Sequence, residues 1–264
     1  MKKISFIILS WNSEKYLQNC IESILKIKEL ETEIIIIDNG STDNSIKIIE
    51  KYKKAKLIKL EKNYGTTISR NKGLHEIKDT DYICILDSDT VINEESIVIM
   101  TEYVEKHMDV GIVGPSMIGK DNQKQIPFRK FPTKQIKLYK ALPIAKFNKI
   151  GESLESYDLN NITDEFECDY LISACWVMRY DVYKKLGDLD EKIFYAPEDV
   201  EYCMRARNKG YKVIHLKRAQ ITHFYQRISK KKLLSKANIT HLSGLFYVWR
   251  KYRKFLRNYN KERK

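Results

Sequence analysis

Between residues 4 and 107, short apolar runs alternate with stretches of helical period, and this alternation constrains the fold more tightly than any other feature of the chain. Ile4–Ser10 reads as a strand, and a helix is expected from about Ser13 to Lys28 with Leu17, Ile21, Ile24 and Leu25 on one face. Glu33–Ile37 is apolar after its first residue, as a strand buried on both faces should be. Ser41–Asp43 can cap a helix carrying Ile46, Ile48, Ile49 and Tyr52. Leu57–Leu60 is a short strand, Thr66–Glu76 a helix, Tyr82–Leu86 a strand and Glu94–His107 a helix. Strand and helix in turn predict an α/β fold: a mostly parallel sheet with helices on both faces. Ligands of such sheets bind beyond the C-terminal ends of the strands.

Two carboxylates stand at one such end. Asp87-Ser88-Asp89 follows the apolar run from Tyr82, one residue between the acids. Oxygen ligands there suit a hard divalent cation, Mg²⁺ or Mn²⁺, which in turn suits a phosphate-bearing ligand. Asp also starts turns and caps helices, so the pair alone leaves a structural reading open. Asp38 occupies the equivalent tip of the second strand.

Residues 115–165 break the alternation. They hold four of the five prolines and many basic and aromatic residues, such as Phe128-Arg129-Lys130-Phe131-Pro132. A long loop is expected, with a short helix near Thr133–Leu142. Regularity returns at Tyr170–Val177, followed by a helix from Asp199 to Lys209 ended by Gly210 and strands at Lys212–Leu216 and Gln220–His223.

Ile8-Leu9-Ser10-Trp11-Asn12, Ile37-Asp38-Asn39-Gly40-Ser41-Thr42-Asp43, Asn63-Tyr64-Gly65, Arg70-Asn71-Lys72-Gly73, Asp87-Ser88-Asp89 and Ala196-Pro197-Glu198-Asp199-Val200 stand in one order, followed by a strand ending in His223. Over roughly residues 3–225 the chain thereby resembles glycosyltransferase family 2, with its glycosyltransferase A fold. Phe131-Pro132, and the run from Cys175 through His223 to Ser229, resemble its rhamnosyltransferase-like branch. Trp11 in place of a common Tyr, and Thr66-Thr67 in place of smaller residues, depart from the family pattern.

The resemblance implies inverting, metal-dependent transfer of a sugar from a UDP- or dTDP-sugar to a hydroxyl of a glycan or lipid-linked acceptor. It implies a donor half of about residues 1–114 and an acceptor half of about 115–226. The nucleotide would be held by Trp11, Asn12, Asp38, Asp43, Asn63, Gly65, Arg70 and Asp87, with Asp38 accepting from the imide N–H of the base. Asp89, Asp87 and His223 would hold Mn²⁺ or Mg²⁺. Asp199 would be the catalytic base and Glu198 would position the acceptor. Each has a structural alternative: Asp38 could cap the next helix, His223 could be a core histidine, and acids in a first helical turn complement the helix dipole.

The formal net charge of +13 belongs almost wholly to one segment. Residues 227–264 hold thirteen Lys and Arg against Glu262, or +12, leaving +1 for residues 1–226. In that tail Leu242, Leu245, Phe246, Trp249, Tyr252 and Leu256 form a stripe at helical spacing among Arg250, Lys251, Arg253, Lys254 and Arg257. A basic amphipathic helix can lie on an anionic membrane surface, or pack on the catalytic domain with its lysines solvated. Basic charge confined to the tail, with no accompanying motif, argues against a nucleic-acid partner. The first residues resemble a signal peptide, but Asn12, Glu14 and Lys15 cut its apolar run short. The five cysteines form no Cys-x-x-Cys pair, which with that N-terminus points to reduced buried thiols in a cytoplasmic protein, peripheral on the membrane. A non-catalytic sugar-binding module would be expected to lose Asp87, Asp89, Glu198 or Asp199, and this chain keeps all four.

Overall fold

The computed structural model describes residues 1–141, 145–224 and 236–262. The first half follows the expected alternation: β1 (Lys3–Ser10), α1 (Leu17–Leu25), β2 (Glu31–Asp38), α2 (Ser45–Ile49), β3 (Ala55–Lys59), α3 (Thr66–Leu74), β4 (Tyr82–Asp87), β5 (Thr90–Val91) and α4 (Glu94–Lys106). β3, β2, β1 and β4 lie side by side and parallel. The isoleucine runs suit this position because successive side chains of a strand point to opposite faces. Phe6, Ile8, Ile34, Ile36, Cys84 and Leu86 join one core, closed by α1, α2 and α4. Ile7, Ile35, Ile37, Ile83 and Ile85 join a second core on the other face, against Leu74 of α3.

The long loop expected over residues 115–165 is largely structured, and the short helix expected near Thr133–Leu142 is present. β6 (Val110–Ile118) is a nine-residue buried strand where none was expected. It is followed by β7 (Lys124–Gln125), β8 (Phe128–Arg129), α5 (Lys134–Ala141), α6 (Ala145–Glu155), a 3₁₀ turn (Leu159–Asn161) and β9 (Glu165–Glu167). The regular stretch expected at Tyr170–Val177 holds two strands, β10 (Tyr170–Leu171) paired with β8 in a second small sheet, and β11 (Cys175–Arg179) in the main one. After α7 (Tyr180–Leu186) and α8 (Glu198–Asn208), β12 runs unbroken from Lys212 to His223 and replaces two expected strands. Its register against β6 shifts between Leu216 and Gln220, and the polar residues of that bulge mimic a turn.

The main sheet has the order β3-β2-β1-β4-β11-β6-β12-β5, with β7 on β6 and β9 on β12. β11 is antiparallel to both β4 and β6. The sheet is therefore mixed but mostly parallel. All five cysteines are buried and free, as the sequence suggested.

The tail forms α9 (Lys236–Lys251) and α10 (Arg253–Glu262); residues 227–235 and Ser229 with them lie outside the described residues. The apolar stripe does not face outward. Leu245, Val248, Trp249 and Tyr252 are buried, and Val248 and Tyr252 belong to the second core. The Trp249 indole N–H donates to Pro132 O at 2.7 Å, and the Tyr252 hydroxyl to Glu201 at 2.6 Å. Leu256 is half-buried, and of the six stripe residues Leu242 and Phe246 stay open to solvent. The tail is thus a packing element, with Arg250, Arg253, Lys254 and Arg257 exposed on its outer side.

Removing residues 240–264 should therefore unfold the chain rather than release it from a surface. A buried Leu, Val, Trp or Tyr side chain contributes about 1.5–3 kcal/mol, and four of them approach the roughly 5–15 kcal/mol that holds a typical domain together. Urea unfolding of the truncated chain should show a large fall in midpoint; an unchanged midpoint would return the tail to the status of an appendage.

Candidate active site

The site lies beyond the C-terminal tips of β1, β2 and β4, where the start of α8 faces them. Three backbone devices build it. The turn after β4 folds back as β5, which pairs with the end of β12, so that Thr90 stands opposite His223. The amide of Phe224 donates to Asp89 O at 2.9 Å. The chain between β10 and β11 brings Ala174 O to the amide of Asp87, at 2.9 Å.

Asp87, Asp89 and His223 consequently converge, with one ligand atom from each within 4.8 Å of the others. His223 is buried, and its Nδ1 lies 2.9 Å from Gln125 Oε1, while Gln125 Nε2 donates to His223 O at 2.8 Å. The amide pairing makes Nδ1–H the donor and leaves Nε2 aimed at Asp89 Oδ1, 3.5 Å away. Desolvation pulls the His223 pKa down, but the hydrogen bond and charge of Asp89 outweigh it and hold it above the ordinary value. Burial pushes the Asp87 carboxyl up, and Asp89 adds to this against the opposing pull of Arg70. Two carboxylates and an imidazole so placed form a set that a divalent cation can bind.

Arg70, on α3, is 1% exposed. It donates to Asp87 Oδ1 at 2.6 Å, to Ser173 O at 3.2 Å and to Ser173 Oγ at 2.9 Å, and reaches Glu198 Oε1 at 3.4 Å. Ser173 Oγ donates to the same Glu198 oxygen at 2.8 Å. One guanidinium thus joins the strand-tip cluster to the acidic pair at the start of α8. Burial raises the Glu198 pKa to about 8, with the Asp199 charge adding to it. Burial raises Asp199 to about 6, with the amide of Val200, which donates at 2.8 Å, pulling the other way. Asp199 remains half-exposed, whereas an oxygen of Glu198 is engaged by Ser173 and Arg70.

The remaining predicted residues form the rim around β2. Asp38 is fully buried; Oδ1 accepts from the Ser41 amide at 2.9 Å, and Oδ2 has no partner among the described residues. Asn63 Oδ1 accepts from the Gly65 amide at 2.9 Å and from Asn39 Nδ2 at 3.1 Å. Gly65 has φ +86°, open to glycine without strain, and a Cβ there would stand 2.1 Å from Phe194 O. Asn12 holds the facing loop: its Oδ1 accepts from the Thr42 amide at 2.8 Å. Trp11, at the tip of β1, keeps its ring 44% exposed. Asp43 is spent on the backbone, accepting from the amides of Glu14 and Ser45 at 3.0 Å each. Partial burial pushes its pKa up, and these hydrogen bonds overcome that and hold it below the ordinary value. It is a loop anchor rather than a group directed into the site.

Ser173, Gln125 and Asn39 were not singled out in the sequence. Asn39 carries the turn: its Oδ1 accepts from the Tyr64 amide and from Ser69 Oγ. It alone had a signal, as the neighbour of Asp38 in a quoted motif.

Comparison with known proteins agrees with this geometry. The family profile described as Glycosyl transferase family 2 matches residues 5–187. A poly-beta-1,6-N-acetyl-D-glucosamine synthase of Staphylococcus epidermidis is 35% identical over 113 residues, 42% of this chain and 27% of its own length. The chain thus spans about a quarter of that relative. TarS of S. aureus, solved with UDP, superposes with a TM-score of 0.58 at 21% identity, over 84% of this chain and 60% of that one. GalNAc-T7, solved with UDP, GalNAc and Mn²⁺, superposes with a TM-score of 0.70 at 16% identity, over 95% of this chain and 48% of the other. These two similarities establish the glycosyltransferase A type of fold.

Replacing Arg70 by Leu would strand Asp87 and Glu198 without their shared cation. Breaking a buried ion pair from one side costs about 3–5 kcal/mol, so urea unfolding of Arg70→Leu at neutral pH should show a loss of that size. A loss under about 1 kcal/mol, the worth of a surface pair, would contradict a buried bridge.

Proposed function

The chain belongs to glycosyltransferase family 2, and from that premise we propose that it transfers a sugar, with inversion, from a UDP- or dTDP-activated donor to a hydroxyl of a glycan or lipid-linked saccharide. One observation carries this reading: a three-residue ligand set and a raised acidic pair face one another across a single buried arginine. The first suits a diphosphate, the second a hydroxyl that must lose its proton. The UDP of the TarS and GalNAc-T7 complexes favours a uridine donor over a thymidine one.

Asp38 fits the base end of the donor. Its buried Oδ2 lacks a donor, and a buried acceptor left unmade costs about 1–3 kcal/mol, which the imide N–H of uracil would recover. Asn12, Asn39, Asn63 and Gly65 shape the loops around it, and Trp11 offers an open ring at the same rim. Asp87, Asp89 and His223 would hold Mn²⁺ or Mg²⁺. A divalent cation there would neutralise charge developing on the departing nucleoside diphosphate. His223 can serve it as a neutral ligand, since Gln125 fixes the proton on Nδ1. Binding then displaces any proton shared between Nε2 and Asp89, so cation affinity should fall as the pH drops through the raised His223 pKa.

Asp199 is the base in this reading. The acceptor oxygen forms its bond to the anomeric carbon as the bond from that carbon to the diphosphate oxygen breaks. The hydroxyl proton passes to the Asp199 carboxylate. Glu198, engaged by Ser173 and Arg70 and raised further, is suited to holding the acceptor in place. The exposed basic residues of α9 and α10, with Leu242 and Phe246, leave room for an electrostatic, salt-sensitive contact with an anionic membrane surface; a buried apolar stripe cannot insert.

Two measurements test the reading. Calorimetry with UDP and Mn²⁺ should show binding that chelator or Asp89→Ala abolishes; affinity unchanged in both would remove the cation from the site. Asp199→Asn should keep UDP binding and lose transfer by about a hundredfold or more, the range of general-base catalysis. Wild-type turnover should fall as the pH drops through about 6, because the carboxylate form of Asp199 is lost there. If Glu198→Gln is inactive and Asp199→Asn is not, the two residues exchange roles.

A further inference from the structure

We propose that α9 sets the position of the acidic pair, with Gly244 as the positioning residue; this rests on Asp199 being the base. The segment Phe194–Pro197, which delivers the chain to Glu198 and Asp199, is gripped from two sides. On the donor side Thr66 N donates to Phe194 O and Thr67 Oγ1 to Ile193 O, both at 2.6 Å, and Gly65 lies under Phe194 so closely that no side chain fits. On the other side lies Gly244 of α9. A Cβ there would stand 2.7 Å from Pro197 Cδ and 3.0 Å from Ala196 O. Glycine is a poor helix former, and in the middle of a sixteen-residue helix it needs a packing reason. The close seat of Ala196-Pro197 supplies one.

α9 cannot readily back away to make room. Beyond Gly244 it is tied by Trp249 to Pro132 O, by Tyr247 to Asp190 at 2.7 Å, and by Lys251 and Tyr252 to Glu201 at 2.8 and 2.6 Å. Glu201 lies one turn along α8 from Glu198. With the helix held at its far end and the segment held at Gly65, added bulk at Gly244 must be absorbed at Ala196-Pro197, the two residues before the acidic pair. A helix from the basic tail therefore belongs to the acceptor side of the site, and it reaches the reaction through Pro197 without touching the substrate.

The test uses the full chain with Mn²⁺, scoring UDP binding by calorimetry and UDP release from UDP-GlcNAc with water as acceptor. Gly244→Ala should cut release about tenfold to a hundredfold, the effect of a misplacement of about 1 Å, while the dissociation constant for UDP stays within about twofold of the wild type, well short of the tenfold that 1.4 kcal/mol would make. Phe246→Ser, exposed on the same helix, should change neither quantity. Should Gly244→Ala fail to fold, Tyr252→Phe removes one of the ties between α9 and Glu201 without adding bulk and should lower release several-fold with UDP binding kept. Wild-type release in folded Gly244→Ala, or in Tyr252→Phe where that is the variant that folds, overturns the positioning role if Asp199→Asn is inactive. An active Asp199→Asn, or a wild-type chain that does not bind UDP, overturns instead the reading on which it rests.

Discussion

The buried Arg70 guanidinium is the constraint on which the rest of the site depends. A cation removed from water needs carboxylates and carbonyls around it, and the desolvation cost is offset only if they are placed well. Arg70 finds them on three segments far apart in sequence: Asp87 at the tip of β4, Ser173 before β11, and Glu198 at the start of α8. The same geometry that satisfies the arginine therefore fixes the distance between the Asp87, Asp89 and His223 cluster and the acidic pair. Ser173 tightens the arrangement, since it accepts from Arg70 and donates to Glu198. Arg70 Nε, buried and without a partner among the described residues, shows that the fit is incomplete even here.

The parallel half of the fold was legible because its signal is local. Isoleucine runs bounded by Asp or Asn at the strand tips, and helices with one apolar face, are properties of neighbouring residues. β6 was not legible, because Gly111, Gly114 and Pro115 read as loop. Their presence has a tertiary cause. A Cβ on Gly111 would meet the Tyr211 Cβ at 2.8 Å, and one on Gly114 would meet Leu171 at 3.0 Å and Cys175 O at 3.2 Å. Pro115 pairs with Leu216, at the point where the β12 register slips, so its missing N–H falls where the ladder is already broken. The short strands between Lys124 and Leu171 have two or three residues each and exist through pairing with distant partners, which no local pattern encodes.

The site divides in the same way. Asp38, Asp87 and Asp89 could be picked out because carboxylates at strand tips are visible in sequence, and Glu198 and Asp199 because they stand in a motif of the family. Their partners could not. Ser173 sits in a regular stretch with no chemical signal of its own, and Gln125 lies in a stretch that reads as loop, yet these two decide the orientation of Glu198 and His223. Asp43 shows the converse. It stands in the right motif, but two backbone amides consume its oxygens, and only the fold of the facing loop reveals this.

The tail is where sequence pattern carried least, for a physical reason. An amphipathic stripe states that one helix face avoids water; it does not state whether lipid or protein covers that face. What distinguishes the two is the set of polar ends within the stripe. Trp249 and Tyr252 each carry a donor that must find an acceptor when buried, and they find Pro132 O and Glu201, fixed groups of the catalytic domain. Lys251 is likewise drawn from the solvated face to Asp190 and Glu201. Gly244 completes the distinction, since a lipid surface has no use for a missing side chain, whereas the backbone at Ala196-Pro197 requires one. Contacts of that shape commit α9 to one protein surface, the one that carries Glu198 and Asp199.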